Sequence, residues 1–268
     1  MLKYLSFLLF LCLSTNLSAQ FYDNHWMMGY FGGDESSRTD SFGISILSYF
    51  DAELQIENNQ EIDLFFYSSG SSLSDFDGNQ LLFSNNLEIR DAEDQVILNG
   101  TFESNGDPEK ILPQSFVCLP FDFTDIVQYV QMTYTDDFPR LGKSLSSSII
   151  RTGGTTIGIF EQIDNILIDS LSVGQLTGCR HANGRDWWLL AAKANKAFAY
   201  SVLLNSNGVA VVDTMEVAYS LRSGLGQSVF SPNGKTLSDL IYWQDLTIWI
   251  FSILIDVKDN YPIIDKLP

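Results

Sequence analysis

The sequence predicts an all-β domain of about four successive antiparallel sheets, set behind an N-terminal export signal. Three observations carry that prediction. Short runs rich in Phe, Tyr, Ile, Val and Thr follow one another with hardly a pause, and Phe and Tyr number 19 and 11 in 268 residues. Such side chains fit a pleated, half-buried surface. Between the runs stand Asp77-Gly78, Asn99-Gly100, Asn105-Gly106, Gly153-Gly154, Asn183-Gly184, Asn207-Gly208 and Asn233-Gly234, pairs that supply the positive φ angles of tight hairpins. No stretch of the domain sustains an apolar period of 3.6 residues.

Taken in order, Met1–Ala19 carries Lys3, the apolar run Tyr4–Leu13 and the small polar stretch Ser14–Ala19. These are the three parts of a secretory signal peptide cleaved after Ala19, although Leu17 is bulky for its place. The run is too short to span a bilayer, and Cys12, preceded by Leu11, does not read as a lipid anchor. Trp26–Tyr30 opens the first unit. The strands expected after it are Gly43–Tyr49, Glu61–Tyr67, Gln80–Ser84, Leu87–Arg90, Phe116–Leu119, Ile126–Tyr134, Ser146–Ile150, Thr155–Phe160, Trp187–Ala192, Ala197–Leu204 and Val209–Asp213.

A repeat runs through this series. Gln114, Gln175 and Gln227 each precede a short strand, at spacings of 61 and 52 residues, about one four-stranded propeller blade each. The reading is a partial β-propeller of about four antiparallel blades over residues 20–235, between the signal peptide (1–19) and an atypical tail (236–268). A two-layer sandwich would space its strands similarly. Cleavage leaves Cys118 and Cys179, which would sit on equivalent inner strands of adjacent blades. A disulfide needs Cα atoms within about 7 Å, so free buried thiols compete with a bridge.

Composition excludes some partners. Hydrophobic residues make up 45% and charged residues 18%, a globular balance. Lys plus Arg number 15 against 33 Asp plus Glu, for a net charge of −18, one unit more negative once Lys3 leaves with the signal. Such a surface repels phosphate backbones and anionic lipid, so neither nucleic acid nor a membrane span is expected.

Candidate chemistry is sparse. A catalytic triad needs a His poised between a nucleophile and an acid, and the two histidines are His25 and His181. His181 precedes the Asn183-Gly184 turn, with Asp186 beyond it. Across a hairpin His181 and Asp186 can hydrogen-bond and brace the blade, or mark a functional site; His25 reads as a surface residue. Asp75-Phe76-Asp77-Gly78-Asn79 opens like a calcium loop but has Gly at the fourth place instead of the sixth, so a hairpin turn explains it better. Asp136-Asp137 and Asp122/Asp125 are acid pairs of the kind chance produces in so acidic a chain. Gly32-Gly33 and Gly153-Gly154 open no helix, hence cradle no phosphate. Trp187 and Trp188 point to opposite faces of one strand. No catalytic residue, metal ligand or cofactor is assigned; the residues singled out, as structural ones, are Gln175, His181, Asn183, Gly184, Asp186, Trp187, Trp188 and Gln227.

Three segments carry a resemblance: Phe76–Asn85; Cys179-Arg180-His181-Ala182-Asn183-Gly184-Arg185-Asp186-Trp187-Trp188; and Gly226–Lys235, whose Ser231-Pro232-Asn233-Gly234-Lys235 is similar to the Ser-Pro-Asp-Gly-Lys turn of TolB-like and WD40-like propellers. Together, over roughly Phe21–Lys235, they resemble the propeller domains of secreted Bacteroidota proteins that end in a type IX sorting domain. The resemblance implies a secreted or outer-surface β-propeller, periplasmic if the sorting domain is truly absent, and brings no family active site with it. Family sequences continue through further blades to the sorting domain, whereas Thr236–Pro268, with its Trp- and Ile-rich Leu246–Ile255, departs from that pattern.

The expected function is non-enzymatic interaction with an unknown protein or glycan, with self-association through an incomplete ring. The alternatives are a secreted glycosidase or lyase with acids at the propeller mouth, and the inactive product of a decayed gene. Back-translating Asp245–Val257 with AT-rich codons and reading two bases later can yield a further blade-like segment, so the tail is read as a frameshift product, with a genuinely diverged tail as the rival. Resequencing the gene downstream of Lys235 should show the alternative blade in a shifted frame; an uninterrupted frame without it refutes the frameshift.

Overall fold

A strand sends consecutive side chains to opposite faces, so a strand apolar at consecutive positions must be covered on both sides. Gln80–Ser84, Ile126–Tyr134 and Trp187–Ala192 have that pattern, and each is covered on both faces. The computed structural model describes residues 22–29, 44–50, 53–59, 62, 64, 66, 69–102, 113–122, 124–135, 141–221, 226–231, 236–241 and 249–254. The described residues form eighteen strands and no helix. The chain is all-β.

The strands follow in meanders. The first unit is β1 (His25–Met28), β2 (Ile44–Phe50) and β3 (Glu53–Asn59). The second is β4 (Ser71–Ser74), β5 (Gln80–Ser84), β6 (Glu88–Asp91) and β7 (Val96–Thr101), and the third is β8 (Phe116–Phe121), β9 (Ile126–Tyr134), β10 (Gly142–Arg151) and β11 (Gly158–Leu171). The fourth is β12 (Thr177–Arg180), β13 (Trp187–Ala192), β14 (Lys196–Asn205) and β15 (Gly208–Leu221), and the fifth is β16 (Gly226–Phe230), β17 (Thr236–Ile241) and β18 (Trp249–Leu254). Neighbours within a unit pair antiparallel. A single parallel bridge, Leu98 to Gly158, joins β7 to β11 and merges the second and third units into one eight-stranded sheet. Its terminal strands β4 and β8 also lie against each other, so the sheet nearly closes like a barrel.

Three apolar layers separate successive units. Met27 and Ile44 of the first meet Phe83 of the second, together with Leu64 and Phe66. Leu73, Leu82, Ile89 and Ile97 of the second meet Phe116, Val127, Tyr129 and Ile150 of the third. Leu119, Val130, Met132 and Leu145 of the third meet Leu189, Ala191, Val202 and Leu204 of the fourth. Leu82 and Phe83 therefore enter different layers, as do Tyr129 and Val130. Strands β5, β8, β9 and β10 bury residues on both faces, whereas Val96 and Leu98 of β7 and Phe160 and Ile168 of β11 are exposed. Ser72 and Ser74 stitch β1 to β4: Ser72 Oγ donates to the His25 carbonyl at 2.6 Å, and Ser74 Oγ accepts from the His25 N–H at 3.2 Å.

One buried polar network crosses the layer between the second and third units. Tyr129 is fully buried, stacks on Phe102 with ring centroids 5.0 Å apart, and donates its hydroxyl to Asn86 Oδ1 at 2.9 Å. Asn86 Nδ2 donates to Ser115 Oγ at 3.1 Å and to Tyr134 Oη at 3.2 Å. Asn86 holds φ at +73° in the β5–β6 turn, a conformation Asn tolerates better than most residues.

Several expectations need correction. Of the strand expected at Glu61–Tyr67, the described residues Ile62, Leu64 and Phe66 belong to no strand. Phe66 instead fills a slot between Gly29 and Gly70, where a Cβ on either glycine would collide with its ring. Asn99-Gly100 is not a hairpin turn but sits inside β7, where Asn99 at φ +57° makes a bulge against β6. Gln114 and Gln175 precede β8 and β12, but Gln227 lies within β16 and is exposed, so the three glutamines are not equivalent. His25 is half-buried, with Nδ1 2.8 Å from Ser48 Oγ, and burial lowers its pKa, so it is no plain surface residue. The signal peptide, Gly32-Gly33, Asn105-Gly106, Asp136-Asp137 and Asn233-Gly234 lie outside the described residues.

Replacing Tyr129 by Phe removes the donor to buried Asn86 Oδ1 and should cost about 1–3 kcal/mol. A lower denaturant midpoint with an unchanged m value is the expected result.

Candidate functional site

The Cys179–Trp188 segment folds as the β12–β13 hairpin, and its turn obeys the same rule as the Asp75 turn. In the latter, Asp75 Oδ1 accepts from the Asp77 N–H at 2.9 Å, and the Asp75 carbonyl accepts from the Gly78 N–H at 3.1 Å. In the former, His181 Nδ1 accepts from the Asn183 N–H at 3.1 Å, and the His181 carbonyl accepts from the Gly184 N–H at 2.9 Å. Gly78 and Gly184 take φ of +88° and +73°, which is why glycine stands at both places. His181 thus does with an imidazole nitrogen what Asp75 does with a carboxylate. Its ring also leans on Trp188, centroids 5.5 Å apart.

His181 and Asp186 are joined through the backbone, His181 N–H to Asp186 carbonyl at 2.8 Å. The Asp186 carboxylate turns to Asn183, accepting from Nδ2 at 2.6 Å, while Asn183 Oδ1 accepts from the Arg185 and Asp186 N–H groups, each at 3.0 Å. The side chain that braces the turn is therefore Asn183. Trp188 is buried and Trp187 half-buried on the opposite face. Gln175 is buried just before β12.

Next to this hairpin, four elements converge on a charged pair. Arg180, the last residue of β12, forms a salt bridge with Asp122, just past the end of β8. The Arg180 guanidinium lies 4.2 Å from the centroid of Trp187, its cross-strand partner, and 5.9 Å from that of Tyr22. Trp187 Nε1 donates to the Pro120 carbonyl at 2.7 Å, and the Tyr22 hydroxyl hydrogen-bonds Asp122. Burial first, and then the Asp122 charge, raise the Tyr22 pKa; burial lowers that of Arg180 against the pull of Asp122. The pair is desolvated, ring-capped and mutually satisfied, an arrangement that fixes β8, β12 and the segment before β1 together.

Reactive groups are held quiet. Burial pushes the Cys118 thiol up to about 12 and the Cys179 thiol to about 11, and both are free. The Asp75 carboxylate is spent on its own turn, where Asp77, Asn79 and the Asn79 amide all donate to it. A second cluster ties the third unit to the fourth: Lys193 and Tyr200 both donate to Asp169, and burial with that bond pushes the Tyr200 phenol to about 12. Among the described residues no group of three or more His, Cys, Asp or Glu could hold a metal ion, and no helix is long and apolar enough to cross a membrane.

Sequence reasoning singled out the hairpin and both tryptophans but missed the Arg180–Asp122 pair and Tyr22. The one available signal was a basic residue between Cys179 and His181 in so acidic a chain. No family model, curated protein or solved structure matches the chain.

Replacing Arg180 by Met strands the buried Asp122 carboxylate without its half-buried partner. The expected loss is about 2–3 kcal/mol, short of the roughly 3–5 of a fully buried pair. Adding Asp122→Leu should restore most of it, as a double-mutant cycle on thermal unfolding would record.

Proposed function

We propose that this chain is an exported, non-enzymatic β-propeller, or part of one, that presents hairpin turns to an extracellular or outer-surface ligand, protein or glycan. The observation that carries the reading is the row of first strands. β1 lies against β4, β4 against β8, β8 against β12 and β12 against β16, in chain order, as inner strands do around an axis. The both-faced burial of β5, β9 and β10 supports the same reading. The three segments similar to secreted Bacteroidota propellers support export from the cytoplasm.

Turns at the ends of such a row cluster near its axis, and the His181–Asp186 turn, Asp122 and the Asp75 turn all belong to one end of it. An enzyme with acids at that mouth would need an unengaged carboxylate. Asp122 is paired with Arg180 and Asp75 is folded into its turn, which favours recognition over turnover. A glycan array probed with the purified chain tests this. Retention of a defined glycan without release of product is the expected result; release of a cleaved product would overturn the non-enzymatic reading.

A further inference from the structure

Among the described residues the first unit covers one face of its sheet and leaves the other bare. Met27, Ile44 and Ile46 turn toward Phe66 and Phe83. Alternation then sends Trp26, Met28, Leu47, Tyr49, Leu54 and Ile56 to the opposite side. Register sets Trp26, Leu47 and Ile56 in one cross-strand row and Tyr49 directly beside Leu54. Trp26 is 58% exposed and Ile56 64%, with Met28, Tyr49 and Leu54 each above half. These side chains present on the order of 500 Å² of contiguous apolar surface, near the top of what a soluble monomer leaves in water. A stable interface needs about 800 Å² per partner, so the patch supplies most of a centre and the polar rim of the sheet the rest.

The occupant follows from the way this chain covers every comparable face. Between the first and second, second and third, and third and fourth units, the cover is the apolar side of the neighbouring unit's strands. At the far end of the row, β16 turns Ser228 inward, where its N–H donates to Gln114 Oε1 at 2.6 Å, and turns Val229 outward at 61% exposure. We propose that the bare face of β1–β3 receives the outward face of β16 from a second copy of this chain. The contact is head to tail and repeats between chains the stacking each chain makes within itself; it rests on the stacked-unit reading above. Such a heterologous contact closes into a ring or continues as an open array. With a net charge of −18 on each copy, added salt should strengthen it by screening repulsion.

Sedimentation velocity on the full chain, from about 1 to 100 µM and at two salt concentrations, reads the contact. The expected result is a concentration-dependent rise above the 30.1 kDa of one chain, larger at high salt. Ile56→Glu and Val229→Asp should each weaken association at least about tenfold, while Ile168→Asp, at a site 68% exposed on β11, should leave it unchanged. A mass that stays monomeric throughout, or assembly untouched by Val229→Asp, overturns the proposal. Stacking inside the chain is read separately by Tyr129→Phe, so a cooperative monomer that Tyr129→Phe destabilises refutes the docking and spares the stacked-unit reading.

Discussion

The fold depends on strands buried on both faces, chiefly β5, β9, β10 and β13. Once both faces of a strand are buried, its backbone polar groups must be met within the sheet, which four-stranded antiparallel meanders accomplish. Most of its side chains are apolar or partnered, the buried Ser147 and Ser148 hydroxyls of β10 having no hydrogen-bond partner among the described residues. Tyr129 and Val130 state the rule in two adjacent residues, one entering the layer below and the other the layer above. Because such a strand serves as wall to two layers, a change in it is felt on both sides.

Polar groups are admitted to these layers under strict terms. The Tyr129–Asn86–Ser115 network and the Arg180–Asp122 pair both lie where two units meet, and each ties together segments distant in sequence. Apolar layers hold the sheets together without fixing how far one slides along the next. Directional bonds of this kind set that register. Gln114, reaching from the turn before β8 to the backbone of Ser228 in β16, does the same.

Much of the architecture was legible from residue chemistry. Gln80–Ser84, Ile126–Tyr134 and Trp187–Ala192 appear with the expected bounds, because consecutive apolar residues bounded by turn pairs leave little choice. What escaped was set by partners rather than by local preference. Ser71–Ser74 and Glu53–Asn59 are too polar to read as strands, yet both pair; the first serves β1 through its hydroxyls, and the second is an edge strand. Asn99-Gly100 has the composition of a hairpin turn and makes a bulge instead, because β7 continues past it to Thr101. The candidate site divides the same way. The His181 turn is local and readable, whereas Asp122 and Arg180 meet across 58 positions of chain and nothing local announces it.

Burial of the two thiols reaches beyond packing. Disulfide exchange proceeds through the thiolate, and a thiol that ionises near 11 offers only about one anion in ten thousand molecules at neutral pH. Burial holds Cys118 and Cys179, on the neighbouring strands β8 and β12, toward the protonated form. The fold thereby slows thiolate attack by either sulfur at neutral pH, whichever disulfide it meets.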